Sequence, residues 1–290
     1  MEPNAASSCC ELGDVAKARR ILSGGEGSML SEAARVLAHR LERFGTLGAD
    51  DKQVLRALVH HSHIHRPKGD VFREGDRRRD LHVVVSGLFC RYRLLADGSR
   101  QILAILLPGD LCDSSFWAEH PYDFSVGALA CGSTATFSRT ALQDLYRRPA
   151  LARAFSLARH VDDAISREWL VNMGRRGMEQ RLVRLLSELT WRLEALGLVL
   201  GNTITLAMNQ TDLADALGVT HISVCRTLKQ LEAEGLLVPE RGRILVQDVA
   251  ALRAAAGTYP AYLGAQMDVA QVTGLTEATR RHALAVALVN

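Results

Sequence analysis

A few stretches concentrate the residues most able to do chemistry. LPGDLCDSSFWAEHPYDFS, Leu107–Ser125, opens on a Gly-Asp loop, runs on through apolar residues and reaches a second loop around Pro121. That order suits the rim of a small-molecule pocket formed by Gly109, Asp110, Asp113, Ser114, Ser115, Phe124 and Ser125. HHSHIH places His60, His61, His63 and His65 within six residues, donors suited to a metal ion or a pH response. Cys9, Cys10, Cys90, Cys112, Cys131 and Cys225 are candidates for thiol chemistry. Near the C-terminal end, Gln210, Thr211, Thr220, His221, Ile222, Ser223, Arg226 and Lys229 have the types and spacing to meet phosphates and base edges.

Some of these have a plainer reading. HHSHIH has no Cys, Asp or Glu interleaved, whereas structural zinc takes four assembled ligands. It reads as a helix end, where histidines suit the dipole, running into a first strand with His63 and His65 on one face. No cysteine pair has C-x-x-C spacing, and Cys9–Cys10 lack the companions of an iron–sulfur cluster. Most cysteines read as reduced thiols, some of them small core residues. Cys225 falls among the nucleic-acid candidates, where its oxidation would disturb binding. Arg77, Arg78 and Arg79 read as a solvated turn. With no Gly-x-Ser-x-Gly elbow, phosphate loop, HExxH helix or carboxylate pair, neither an enzyme nor a bound metal or cofactor is expected.

These residues need elements to position them. The 290 residues allow one to three domains, and 48% apolar content supplies ordinary cores. A net charge of +3 neither favours nor excludes a nucleic-acid partner. No apolar run approaches the ~18 residues a membrane span needs. MEPNAASSCCELGD lacks the flanks of a signal peptide, so a cytoplasmic protein with no membrane partner is expected.

Residues 1–30 are rich in small residues and read as disordered. A helix is expected from Ser31 as its N-cap, then DDKQVLRALV with Asp50 and Gln53 at capping-box spacing. From Ile64 to Arg139, the short strands LHVVVSG, LFCRYRLL, QILAILL and STATFSR alternate with EGD, DGS and PGD turns, the pattern of a closed or sandwiched β unit. A long amphipathic helix follows, with Phe155, Ala158, Val161, Ile165 and Trp169 recurring at helical steps as the expected dimer core. Gly174 and Gly177 bracket Arg175 and Arg176, a domain boundary and candidate hinge. Those arginines, with Arg181 and Arg184, are candidate phosphate contacts. A second helix covers Met178–Leu196.

ITLAMNQTDLADALGVTHISVCRTLKQLEAEGLLVPERGRILV has the sharpest pattern. Gln210–Leu217 is a short helix broken by Gly218, and Thr220 caps a second helix running to about Glu234. Leu213, Ala214, Leu217, Val219, Val224, Leu228 and Leu231 make the inner faces of a helix-turn-helix. LLV and ILV flank PERGR as a two-stranded wing. Between Ala207 and Ala256 five basic residues face six acidic ones, so the segment is no basic patch overall.

A β-roll, a long helix and a winged helix-turn-helix, in that order, resemble the cyclic-AMP receptor protein/fumarate-nitrate regulator (Crp/Fnr) superfamily of bacterial transcription regulators. The resemblance covers about residues 35–263 and rests on PKGDVFREGD, SGLFCRYRLLADGSRQILAILLPGDL and the helix-turn-helix. REWLVNMGRRG looks like the ligand-orphan branch common in alphaproteobacteria. The resemblance implies an α+β chain. A cyclic-nucleotide-binding-like β-roll with N-terminal helices would span 31–149, a dimerisation helix and hinge 150–176, a winged helix-turn-helix 177–256 and a tail 257–290. It further implies a homodimer on a palindromic double-stranded operator, with RNA polymerase as a partner. In cyclic-nucleotide binders of this fold a Glu holds the ribose and an Arg-Ser pair the phosphate. Here those positions fall at Ser114 and Phe124-Ser125. A phenylalanine cannot neutralise a phosphate, so that ligand is not expected. The family's DNA-reading pattern Arg-Glu-x-x-x-Arg falls on His221, Ile222 and Arg226, which implies a different half-site. An effector-gated regulator sensing an unusual small molecule, a metal or a redox signal is the alternative.

Overall fold

A computed structural model describes residues 26–77, 80–113, 115, 119–138, 145–199, 201–257 and 260–263. Cys9, Cys10, Arg78, Arg79, Ser114 and the tail segment from Thr276 lie outside these residues.

Helix α1 spans Glu26–Glu42 and buries Ala33, Ala34, Leu37, Ala38 and Leu41 at three- and four-residue steps. It starts before Ser31, which is therefore interior to the helix and not its cap. Helix α2, Ala49–Leu58, is closed by the Asp51 carboxylate, which accepts from the Gly48 N–H at 3.1 Å. That contact replaces the expected Asp50–Gln53 box. The chain passes directly into β1, Val59–His65, so His60 and His61 lie on the strand and not at a helix end, with His63 and His65 on that strand as expected.

The roll is two facing sheets. One has the order β1-β7-β3, with β3 at Asp80–Ser86 and β7 at Gly132–Ser138. The other has the order β2-β6-β4-β5, with β2 at Asp70–Phe72, β4 at Phe89–Leu94, β5 at Arg100–Leu106 and β6 at Ser125–Ala128. Alternation along the strands sorts the side chains. Phe72, Val84, Phe89, Leu106, Cys112, Tyr122 and Val126 fill the space between the sheets. Leu81, Val83, Ala135 and Phe137 pack under α1 and α2. Cys90, Tyr92, Ile102 and Ile105 join the core of the C-terminal unit.

Helix α3, Pro149–Arg175, has 27 residues and is about 40 Å long. Leu151, Ala154, Phe155 and Ala158 pack with the roll and α1. Val161, Ile165 and Trp169 pack with the C-terminal unit. The stripe expected as a dimer core is thus buried within its own chain. The outward face carries Ser156, His160, Asp163, Arg167, Leu170 and Gly174.

Helix α4, Met178–Ala195, begins two residues after the corner at Arg176. Gly174 lies inside α3, and Gly177 caps α4 at φ −66°, so neither has a backbone that only glycine adopts. The corner is tied: Asn172 Nδ2 donates to Arg181 O at 3.0 Å and Arg181 Nε to Arg176 O at 2.8 Å. Arg176 pairs with Glu168 at 2.7 Å. Beyond it lie β8 (Ile204–Leu206), α5 (Gln210–Leu217), α6 (His221–Ala233), β9 (Leu237–Glu240), β10 (Arg243–Val246) and α7 (Val249–Ala256). The wing is three-stranded, β8-β10-β9, and not the two strands expected. β8 was missed because only three residues of it pair.

Candidate nucleic-acid interface and the loop behind it

Asn209 caps α5, its side chain accepting from the N–H groups of Thr211 at 2.8 Å and Asp212 at 2.9 Å. The Asp212 carboxylate returns a bond to the Asn209 N–H at 3.2 Å, completing a capping box. Gly218 ends the helix in the left-handed region at φ 62°, where a side chain would be strained. Thr220 Oγ1 accepts from the Ser223 N–H at 3.3 Å and starts α6. Leu213, Ala214, Leu217, Val224, Leu228 and Leu231 are buried between the helices. Burial of these side chains fixes the angle of the pair, and each such leucine stabilises it by about 2–5 kcal/mol relative to alanine.

This packing turns one face of α6 outward. Thr211, Thr220, His221, Arg226 and Lys229 are exposed, Ile222 is 70% exposed, and Gln210 and Ser223 are half-buried. The structure therefore brings all eight candidate contact residues to the start of α5 and the outer side of α6. Among the described residues, Arg226, Lys229 and Arg241 form no ion pair, so their charges are available to an anion. Four of the six acidic residues that spoiled the local balance are engaged elsewhere. Asp212 and Asp215 accept from Arg100 of β5 at 2.6 and 2.7 Å. Asp248 caps α7 by accepting from the Ala251 N–H, and Glu240 pairs with Arg243. Cys225 Sγ donates to Gln210 Oε1 at 2.8 Å and lies 3.4 Å from His221 Nδ1, linking three residues of the outer face. Of the corner arginines, Arg176, Arg181 and Arg184 are tied to Glu168 or backbone carbonyls.

The Gly-Asp loop holds the other charged cluster. Asp110 is buried and accepts from the Leu107 N–H at 2.8 Å, from Arg192 Nη2 of α4 at 2.6 Å and from Arg40 of α1. Arg40 also reaches Asp162 of α3 at 2.8 Å, and Arg192 reaches Glu188 at 3.2 Å and the Ile105 carbonyl at 2.9 Å. Burial pushes the Asp110 carboxyl upward, but the two guanidiniums outweigh it and hold the group below its ordinary range. Burial raises the Glu188 carboxyl. Its Oε2 accepts from Trp169 Nε1 at 3.0 Å and Tyr262 Oη at 3.2 Å. Gly109 is required here, because an added Cβ would stand 3.0 Å from Arg40 Cβ and 3.1 Å from Val36 O.

Arg91 of β4 crosses the inner side of this loop. It donates Nε to Cys112 O at 2.9 Å and Nη2 to Leu111 O at 2.8 Å, and its guanidinium carbon stands 5.8 Å from the Phe124 ring centroid. Phe124 packs near Phe72 and Tyr122. Ser125 is buried, its hydroxyl accepting from the Glu74 N–H at 2.9 Å, and the Asp113 carboxylate accepts from the Ser115 N–H at 2.9 Å. These residues hold the loop's own structure. A cavity of about 460 Å³ lies instead on the β1–β3 side of the roll. It is lined by His61, His63, His82, Phe72, Arg77 and Tyr122 among others, and by none of the rim residues Gly109, Asp110, Asp113, Ser115, Phe124 or Ser125. Burial lowers the His82 imidazole to about 4. No three His, Cys, Asp or Glu side chains among the described residues are placed to hold a metal ion. Burial drives Cys90 and Cys112 to about 12, which leaves both thiols inert. Sequence reasoning missed Arg40, Arg91, Arg100 and Arg192, since an arginine's partners on distant elements leave no local spacing to read.

Residues 65–148 match the cyclic nucleotide-binding domain family, and residues 180–255 match the Crp-like helix-turn-helix domain. The nitrogen fixation regulation protein FixK of Bradyrhizobium diazoefficiens is 31% identical over 67% of this chain and 81% of its own. The transcriptional activatory protein AadR of Rhodopseudomonas palustris is 29% identical over 69% of this chain and 84% of its own. The structure of FixK2 from Bradyrhizobium japonicum superposes with a TM-score of 0.60 at 23% identity, covering 70% of this chain and 99% of that one. No described helix is long and apolar enough to cross a membrane. An α6 face with unpaired cations, mounted on a β-roll and a long helix, agrees with these matches: the chain belongs to the Crp/Fnr family of DNA-binding transcription regulators, in the company of FixK, AadR and FnrL.

Proposed function

We propose that the protein is a cytoplasmic, non-enzymatic homodimer that binds a palindromic operator through α6 and regulates transcription in contact with RNA polymerase. The observation that carries this reading is the α6 face. His221, Ile222, Arg226 and Lys229 stand outward while Asp212 and Asp215 are neutralised from behind by Arg100. Arg226 suits a bidentate contact to guanine and Ile222 an apolar contact to a thymine methyl. Lys229 and Arg241 suit phosphates. In a symmetric dimer the two α6 helices would lie about 34 Å apart, one turn of duplex. The outward face of α3, where Leu170 is 67% and Val171 46% exposed, is the surface we assign to the second copy.

The roll in this reading does not bind a cyclic nucleotide. Phe124 stands where the phosphate-binding arginine is expected, and the nearby Arg91 is engaged by two backbone carbonyls. Selection from a random duplex pool with the effector-free protein, followed by salt titration, tests the function. A two-fold symmetric site, bound more weakly as salt rises, is the expected result. Failure to enrich any sequence overturns the reading that the effector-free protein binds an operator. A second reading, an effector-gated regulator, is favoured by the cavity lined by His61, His63, His82 and Tyr122. It predicts that a small-molecule fraction of cell extract raises the melting temperature and restores selection.

A further inference from the structure

The roll and the reading unit meet at more than the α3–α4 corner. Arg100, the first residue of β5, reaches across to α5, donating Nη2 to Asp212 Oδ1 at 2.6 Å and Nε to Asp215 Oδ2 at 2.7 Å. The Arg100 side chain is only 25% exposed, and its guanidinium carbon stands 5.9 Å from the Tyr92 ring centroid. Beside it, Cys90, Tyr92, Ile102 and Ile105 of the roll share one apolar cluster with Leu213, Ala214 and Leu217 of α5. Gln101 closes the other flank: an added Cβ on Gly218 would come within 3.3 Å of its Oε1. Asp212 lies in the first turn of α5 and Asp215 three residues on, so the guanidinium grips the helix along its axis. Since α5 and α6 are locked by their buried leucines, whatever orients α5 orients α6.

We propose that Arg100 is a positioning residue for DNA reading. From the roll it fixes the direction in which α6 presents His221, Ile222, Arg226 and Lys229, and thereby the half-site spacing that a dimer accepts. This rests on the dimeric reading above. Adding one base pair between half-sites moves one of them about 3.4 Å and turns it roughly 35°. Contacts of 2.6 and 2.7 Å cannot follow such a shift without breaking. With the clamp intact the spacing window is narrow. Without it, α5 meets the roll through an apolar contact that tolerates sliding, and the polar ties that remain, from Asp110 and the Ile105 carbonyl to Arg192, act on α4.

The test uses the full-length protein and the half-site recovered by selection. Pairs of half-sites are separated by spacers varied one base pair at a time, beside a duplex carrying a single half-site. Wild type is compared with Arg100→Gln, Arg100→Lys and Asp215→Asn, which leaves the Asp212 capping box in place, each checked for a cooperative melt. Wild type should prefer its best spacer over the next by roughly tenfold, the size of a single mismatch effect. Arg100→Gln should reduce that preference to roughly two- or threefold, with a smaller loss on the single half-site than on the best full site, Asp215→Asn should fall between, and Arg100→Lys should recover part of it. An unchanged spacing preference in Arg100→Gln overturns the proposal. So does a loss of single half-site affinity equal to the loss on the full site, which would make Arg100 merely structural. Failure of the wild type to select any two-fold symmetric site sinks the dimeric reading itself, an outcome distinct from a symmetric site that Arg100→Gln reads at the same spacing.

Discussion

Asp110 offers the sharpest test of how the chain is held together. Its side chain is 4% exposed and lies between Arg40 at 8% and Arg192 at 7%, on three elements far apart in sequence. Asp110→Asn keeps the shape and removes the charge. Removing one partner of a buried ion pair costs about 3–5 kcal/mol, because the remaining charge is left uncompensated. Each guanidinium here keeps a second carboxylate, Asp162 for Arg40 and Glu188 for Arg192, which places the expected loss near the lower end, about 3 kcal/mol. For a chain of this size that is a fall in melting temperature of about 6–12 °C, measured by calorimetry at neutral pH. A fall below about 3 °C would refute the view that Asp110 organises the cluster. The pH dependence gives an independent check. The folded carboxyl is held below its ordinary value, so its stabilisation is full above the unfolded pKa near about 3.9 and disappears as pH falls through the folded value. Wild type should therefore lose the Asp110 contribution on the acid side, and the asparagine variant should show a shallower acid limb.

Other outcomes follow from the same contacts. Arg226→Ala should weaken specific DNA binding by about 1–3 kcal/mol and relax preference at one base position, whereas Lys229→Ala should weaken all sequences alike and reduce the salt slope by about 1. Both are read by binding titrations at several salt concentrations. Iodoacetamide should label Cys225 well before Cys90 or Cys112, whose thiols burial raises to about 12, and labelling should abolish operator binding. Peptide mapping that finds Cys90 or Cys112 modified first would contradict the described burial. Leu170→Glu should shift sedimentation from dimer to monomer and remove the concentration dependence of the melting temperature, while the monomer still folds, since the side chain is 67% exposed in the single chain. Gly218→Ala should cost about 1–2 kcal/mol, combining left-handed strain with the close approach of Gln101, and is read by thermal melting.

The parts legible in the sequence are those whose cause is local. The α5–α6 pair was placed almost to the residue, because Gly218, Thr220 and seven inner apolar positions all act within a few residues of one another. Four strands of the roll were readable from alternation between turn residues. β1 was obscured because its histidines have no β signature and its pairing partner, β7, lies some seventy residues on. The stripe on α3 was legible as apolar but not as to what covers it. Periodicity states that Phe155 to Trp169 face something, and the roll and reader of the same chain supply that surface.

That difference changes where a regulatory signal has to travel. A glycine hinge between sensor and reader would let an effector act by releasing or stiffening one flexible joint. Here Gly177 is an ordinary helix cap, and the corner is bound by Asn172, Arg176 and Arg181. Movement of the reader must also break or reshape the contacts that cross from the roll. These are the Arg100 pairs with Asp212 and Asp215 and the Asp110 pair with Arg192, around a shared apolar core. Asp110 belongs to the same Gly-Asp loop that reads in the sequence as the rim of a pocket. Its carboxylate faces inward, to cations on α1 and α4, so displacement of this loop reaches the reading unit through Arg192 with no intervening joint. An effector that moved the loop would have to shift a buried charge pair, at a cost set by the desolvation of whichever charge lost its partner.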